Sequence, residues 1–281
     1  MINFDENKML ENGAYIYNQR EKIEGIADKL TEEGYDLLLF TSSGGSMAMM
    51  QPFEIWVNQM SKIPVDAMLS ADLMAMGSNR LTDRSVAFLT SKSGDTKETV
   101  AAAKYLKERG VRLVSVNGVA DSPLEDLSDY CVVYKEGRPQ ELVFYLLIGR
   151  LLYNHGDFPE YPAFADDLKN LAAALVQVRK EADDKCRDYA LKYHKEPYNI
   201  WIGSGDLWPT AYSYSMCVLE ESQWIRTKSV SSPEFFHGTI ELLEDDVCVT
   251  LLLTEGLPRP RRQVRNKRRR RHRRGVRRGR R

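Results

Sequence analysis

Two short segments concentrate hydroxyl groups and glycines: Thr41-Ser-Ser-Gly-Gly-Ser46 and Ser91-Lys-Ser-Gly-Asp-Thr96. Each follows a short apolar run and precedes a stretch with helical periodicity, so each reads as a strand-to-helix turn. Glycines let the backbone turn tightly and present N–H groups, and a helix N-terminus favours an anion. Clustered hydroxyls add donors for phosphate oxygens without a fixed positive charge, which suits a phosphomonoester that must later be released. Either turn alone reads better as ordinary capping, with Asp95 and Glu98 forming a capping box. Two such turns on nearby strands favour a phosphate site. No GK[ST] follows either turn and no GxGxxG occurs, so neither a Walker loop nor a dinucleotide fold is expected.

A second pair of segments offers acid and base. Glu220-Glu-Ser-Gln-Trp224 lies in a helical stretch and Pro233-Glu-Phe-Phe-His-Gly238 at a strand-to-helix turn. A carboxylate and an imidazole, such as Glu221 and His237, can move protons near neutral pH at a carbon beside a carbonyl. The plainer alternative is a solvated helix face and a local capping histidine.

The elements that must position these groups alternate. Helical periodicity covers 13–33, followed by a strand at 36–42, a helix at 47–62, a strand at 65–69, a short helix at 71–76 and a strand at 86–91. A helix at 97–109, a strand at 112–116, a short helix at 123–129 and a strand at 130–134 complete the run. Apolar strands alternating with helices predict an α/β fold, a doubly wound parallel sheet in three layers. Two long helical segments follow at 140–155 and 163–194. The strand signal then returns at 198–203, with Ser204-Gly205 standing where Gly44-Gly45 stood after the first strand. A helix at 208–223, a strand at 227–230, a helix at 234–243 and a strand at 247–254 read as a second, incomplete copy of the same unit. The expected organisation is an N-terminal helical segment (1–33), a first domain (34–160), a connecting long helix (161–196), a partial second domain (197–256) and a basic, disordered tail (257–281).

Composition narrows the class. With 281 residues, 43% of them hydrophobic, the chain can bury a real core. Lys+Arg and Asp+Glu both number 40, yet 259–281 hold fourteen Arg and one Lys without an acid. Removing those fifteen leaves 25 basic against 40 acidic groups, so the body carries −15 and the tail +15. Cys131, Cys186, Cys217 and Cys248 are widely spaced, and His155, His194, His237 and His272 do not cluster. Buried free thiols in a reducing compartment are expected, and no metal site. Without a signal peptide or a run of spanning length, a soluble cytoplasmic protein with no membrane partner is the default.

The turn Ser91-Lys-Ser-Gly-Asp-Thr96, continued by Lys97-Glu-Thr-Val100, resembles the most characteristic turn of the sugar isomerase (SIS) domain, a phosphosugar-binding α/β unit often found in tandem. Ser43-Gly-Gly-Ser46 resembles its first turn, and the likeness runs from about residue 20 to 256. The resemblance implies that Ser46, Ser91, Ser93 and Thr96 hold a substrate phosphate, with Gly45 and Lys92 nearby. Glu221-Ser-Gln-Trp224 followed by Glu234-Phe-Phe-His-Gly238 is similar to the deglycases of Amadori compounds, which cleave fructoselysine, glucoselysine or fructose-asparagine 6-phosphate to a hexose 6-phosphate and an amino acid. It implies Glu221 as proton-transfer base, His237 in ring opening or as an acid, and Glu234 in binding or support. It further implies no cofactor, a sugar phosphate as ligand, and a homodimer in which His237 reaches the neighbouring subunit's site. Other functions the fold could serve are a phosphosugar isomerase, the isomerase lobe of an aminotransferase, and a non-catalytic sugar-phosphate sensor. No glutaminase precedes the first strand, and the segment before it is too short for a helix-turn-helix domain.

Past about Gly256 the likeness stops and the chain turns into an arginine-rich string that cannot complete a core. A shifted reading frame is the expected cause. The alternative is a genuine basic tail that would contact nucleic acid. The absence of aromatic residues in it and the acidic body argue against a nucleic-acid partner.

Overall fold

In a computed structural model, residues 3–135 and 137–253 are described. The arginine-rich segment and Thr254, the last residue of the final predicted strand, lie outside them. The chain divides into two compact units, one ending at Lys195 and one beginning at Glu196.

The first unit opens with α1 (Glu6–Tyr17) and α2 (Arg20–Glu33), then alternates β1 (Leu38–Ser42), α3 (Gly44–Met60), β2 (Val65–Leu69), α4 (Ser70–Met76), β3 (Val86–Ser91), α5 (Lys97–Lys107), β4 (Arg112–Asn117), α6 (Pro123–Leu127) and β5 (Tyr130–Val133). It closes with α7 (Glu141–Asn154), α8 (Tyr161–Asp167) and α9 (Leu171–Tyr193). The five strands are all parallel, in the order β2-β1-β3-β4-β5. Strands covered on both faces read as continuous apolar runs, and every residue of β1 and β3 is buried. Alternate side chains supply two cores. Leu38, Phe40, Val86, Phe88, Val114 and Val116 pack with residues of α2, α3 and α7, whereas Leu39, Ala87, Leu89 and Leu113 meet Leu73, Ala102, Leu106 and Leu124 from α4, α5 and α6. The three-layer α/β prediction is met in this unit.

Two helical stretches of this unit differ from the sequence reading. The first is two helices, broken at Asn18-Gln19, where the Gln19 side-chain amide donates to the Val133 carbonyl 3.1 Å away. The second long segment is interrupted by a 3₁₀ turn at Leu168–Asn170 that lets Leu168 bury between α8 and α9. The thiols also differ from expectation: Cys248 is buried, Cys131 and Cys217 are half-buried, and Cys186 is exposed on α9. The helical period of α9 carries few apolar residues toward the core, only Ala172 and Val176, so its remaining face stays in solvent.

Helices α2 and α7 are joined by a charged clasp. Arg150 donates to both carboxylate oxygens of Asp28 at 2.7 and 3.0 Å, and Asn154 adds a bond of 2.8 Å. Burial opposes ionisation of Asp28, but these donors outweigh it and lower its pKa. A depressed carboxylate contributes stability that is complete above the ordinary Asp value of about 3.9 and is lost as pH falls through the folded value. Asp28→Asn is therefore expected to cost about 0.5 kcal/mol at pH 7 after solvent screening, with the gap to wild type narrowing as pH falls below the ordinary Asp value in denaturant titrations.

The second unit contains β6 (Tyr198–Gly203), α10 (Leu207–Ser213), a π-helical stretch (Tyr214–Glu220), α11 (Glu221–Gln223), β7 (Thr227–Ser231), α12 (Ser232–Phe235) and β8 (Val247–Leu251). Its three parallel strands run β7-β6-β8, the arrangement of β2-β1-β3 in the first unit. The backbones after the leading strands also agree. Gly44 and Gly205 each lie two residues beyond their strand, with φ of +52° and +54°. Ile200, Ile202, Val230, Phe235 and Ile240 form the core here. The helix expected at 234–243 is reduced to α12 and a 3₁₀ turn at Thr239–Leu242, because Gly238 separates them in a non-helical conformation.

Candidate functional site

Strand order places the two serine turns. The chain steps from β1 to β2 on one side and to β3 on the other, so the sheet's topological switch point lies between β1 and β3. Ligands of open parallel sheets bind outside the carboxyl ends of the strands at such a point. The first turn leaves β1 and the second leaves β3.

The ends of these strands are tied by side chains. Ser42, 1% exposed, donates its hydroxyl to the Thr90 carbonyl at 2.6 Å, and Thr41 Oγ1 lies 3.3 Å from Ser70 Oγ. Ser43 precedes α3 in an extended conformation and does not cap it with its side chain. Gly44 then takes its positive φ, and a Cβ there would meet open space. Gly45 and Ser46 follow, half-buried, in the first turn of α3.

The second turn is built around Ser91. Its buried Oγ accepts from the Gly94 N–H at 3.0 Å and lies 2.9 Å from Thr96 Oγ1 and 3.5 Å from Ser93 Oγ. Ser91, Ser93 and Thr96 thus share one hydroxyl cluster. Gly94 has φ +72°, and a Cβ added to it would sit 2.3 Å from both Cβ and Oγ of Ser122. The loop after β4 braces the turn from behind. Gly118 donates to the Ser91 carbonyl and Leu124 to the Gly94 carbonyl, while buried Asn117 donates to Ser122 Oγ. The capping box of the alternative reading does not form: Thr96 is the N-cap of α5 and its side chain does not cap that end. The Thr96 hydroxyl turns to Ser91 instead, leaving the first amides of α5 without a side-chain acceptor. Lys92, Asp95, Lys97 and Glu98 around the turn are exposed and sum to no net charge. An anion here would be held by hydroxyls and amides.

In the second unit, Glu220 and Glu221 part ways. Thr227 donates to Glu220 Oε1 at 2.5 Å, whereas Glu221 begins α11 with its side chain exposed. Burial, opposed by a bond with Ser213, together with the charges of Glu221 and Glu220, pushes the Cys217 thiol up and keeps it protonated. His237 is exposed in the turn after α12, its N–H bonded to the Glu234 carbonyl at 3.0 Å. The Glu234 amide is capped by Ser231 Oγ. Glu221 and His237 are not hydrogen-bonded to each other.

Trp224 closes the helical stretch with φ +57° and ψ 29°, the left-handed region, and is 90% exposed. A bulky residue there carries a penalty of roughly 1–2 kcal/mol. Because the indole buries little, Trp224→Asn is expected to raise stability by about 0.5–1 kcal/mol. An upward shift of the denaturant midpoint at constant m-value checks this, and a fall would show that the indole packs.

Sequence reasoning did not reach the supports: Ser42, Asn117, Gly118, Ser122 and Thr227. Ser122-Pro123 carried a readable signal, a serine N-cap before a first-turn proline. A cavity of about 530 Å³ lies against α1, lined by Asp5, Lys8, Glu11 and Lys135 among others. No residue of either serine turn lines it, and its mixed charges do not suit a dianion.

Residues 20–153 match the family model of the SIS domain, a span that includes the sheet bearing both serine turns. Its relatives are more particular. It is 27% identical over 249 residues to the fructosamine deglycase of Bacillus subtilis, covering 85% of this chain and 75% of the relative. It is 24% identical over 273 residues to a glutamine–fructose-6-phosphate aminotransferase of Pyrococcus horikoshii, covering 90% of this chain but 43% of that protein. A solved structure of a candidate phosphosugar isomerase from Bacillus subtilis superposes with a TM-score of 0.82 at 25% identity, over 94% of this chain and 81% of the other. The chain is similar over residues 20–153 to the SIS domain, and at modest identity to a fructosamine deglycase. Among the described residues, no helix is long and apolar enough to cross a membrane.

Proposed function

We propose that this protein is a deglycase that hydrolyses an Amadori-type sugar–amino acid 6-phosphate to hexose 6-phosphate and free amino acid. One observation carries the phosphate part. Two hydroxyl-rich turns leave adjacent strands at the switch point, tied together by the Ser42–Thr90 bond. Ser91, Ser93 and Thr96, with Ser46 from the first turn, hold the phosphate through hydroxyls and the amides of α3 and α5; Gly45 and Lys92 lie beside them.

His237 assists ring opening, which exposes the C2 carbonyl. Glu221 then takes a proton from C1 and returns it at C2 through an enaminol, so the carbonyl becomes a hydroxyl and C1 becomes an imine. Water adds to that imine, and the carbon–nitrogen bond breaks to give the aldehyde and the free amine. Glu234 supports the His237 turn. No step draws on a metal or organic cofactor. The reading also takes the second unit as a partial second SIS domain and the working form as a homodimer to which His237 is contributed across subunits.

The test is incubation with fructoselysine, glucoselysine and fructose-asparagine 6-phosphates, assaying hexose 6-phosphate. Release from at least one is expected. Interconversion of free ketose and aldose 6-phosphates without release from any of the three would instead favour an isomerase, the reading that the aminotransferase relative supports.

A further inference from the structure

The π-helical stretch Tyr214–Glu220 ends on the residue before Glu221, and one side chain bonds residues near both of its ends. Thr227, at the start of β7, donates its hydroxyl to Glu220 Oε1 and receives the hydroxyl of Ser215, which is 1% exposed. The result is a chain of two bonds, Ser215 to Thr227 to Glu220. Ser215 and Glu220 are five residues apart. In an α-helix, at 3.6 residues per turn, they would point about 140° apart and no single hydroxyl could bond both. Winding that bonds residue i to i+5 brings the later residue back over the earlier one. The Thr227 bridge and the π winding therefore require each other.

We propose that Thr227 is a positioning residue for Glu221: by bridging Ser215 and Glu220 it holds the π-wound segment, commits Glu220 to β7, and thereby fixes where Glu221 presents its carboxylate. The wider turn inserts one extra residue into the helix, which rotates everything after it relative to α10. Without the bridge, the segment returns to α-helical winding and Glu221 swings to another face. Two glutamates side by side then have distinct duties, one anchored and one available. The inference rests on the reading of Glu221 as the proton-transfer base.

The experiment compares Thr227→Val, which keeps the shape and removes the hydroxyl, with Thr227→Ser, which restores it, and with Ser215→Ala, which breaks only the inner bond. Two readouts are taken on the full chain. In amide hydrogen exchange, the peptide spanning 214–223 is expected to exchange about 10-fold faster in Thr227→Val and near the wild-type rate in Thr227→Ser, with Ser215→Ala between them. In steady-state turnover of a fructosamine 6-phosphate, Thr227→Val is expected to lower kcat about 30-fold with KM within about 2-fold, and Thr227→Ser to recover most of it. Unchanged exchange in Thr227→Val, or a kcat within about 2-fold of wild type, overturns the proposal. So does a loss that Thr227→Ser does not rescue. Full activity in Glu221→Gln would instead overturn the reading of Glu221, and the exchange comparison would still decide the role of Thr227 in the winding.

Discussion

Glu221→Gln is expected to lower kcat for a fructosamine 6-phosphate about 10³-fold while leaving KM within a few-fold, the range that loss of a general base produces. The amide keeps the shape of the carboxylate but cannot accept a proton from C1. Glu221 is exposed, so the substitution leaves no buried group unpaired and the protein should unfold at the wild-type denaturant concentration. Glu220→Gln is the informative control. An amide oxygen can still accept the Thr227 hydroxyl, so its effect should be several-fold rather than a thousandfold. Equal losses in the two variants would contradict the division of duties between the neighbouring carboxylates.

The second large effect belongs to the phosphate turn. Gly94→Ala places a Cβ 2.3 Å from the Ser122 side chain on a backbone with φ +72°. The left-handed conformation costs roughly 1–2 kcal/mol and the overlap a further 1–3 kcal/mol. Ser122 has little room to yield, since its Oγ accepts from Asn117 and from the Glu125 amide. The turn should give way and carry the Gly94 amide off Ser91 Oγ, loosening the cluster with Ser93 and Thr96. We expect kcat/KM to fall about 100-fold, chiefly through KM, with stability lower by about 2–4 kcal/mol. Gly44→Ala meets no neighbour, so it should cost only the conformational part, about 1 kcal/mol. The contrast between the two glycines separates steric support of the site from backbone preference.

These effects also mark where the sequence was readable. Strands β2, β3 and β6 fall at their predicted limits, and β3 and β6, buried along nearly all their length, are written as largely apolar runs between turn residues. The serine turns were legible for the same reason: they are the polar punctuation of those runs. The break at Asn18-Gln19 was not, since neither residue forbids a helix and the Gln19 bond to Val133 is 114 residues away in sequence. The π winding was equally hidden. Local periodicity in 208–223 reads as one helix, and only the register against β7 shows that Ser215 and Glu220 share a partner. The capping box failed because Asp95 and Glu98 fit a local pattern, whereas Thr96 found a better partner in Ser91, which belongs to the strand. At Asn18-Gln19 the missing information was a contact between segments distant in the chain, and in the other two cases it was a side-chain bond between neighbouring elements.

The deglycase reading requires the hydroxyl turns at the β1–β3 switch point to seat a sugar phosphate. Isothermal titration of the protein with glucitol 6-phosphate and with glucitol tests it without requiring turnover. A saturable site is expected for the phosphate ester, binding about 100-fold more tightly than the parent polyol, as several charge-assisted bonds would give. Equal affinity for the two ligands would contradict it.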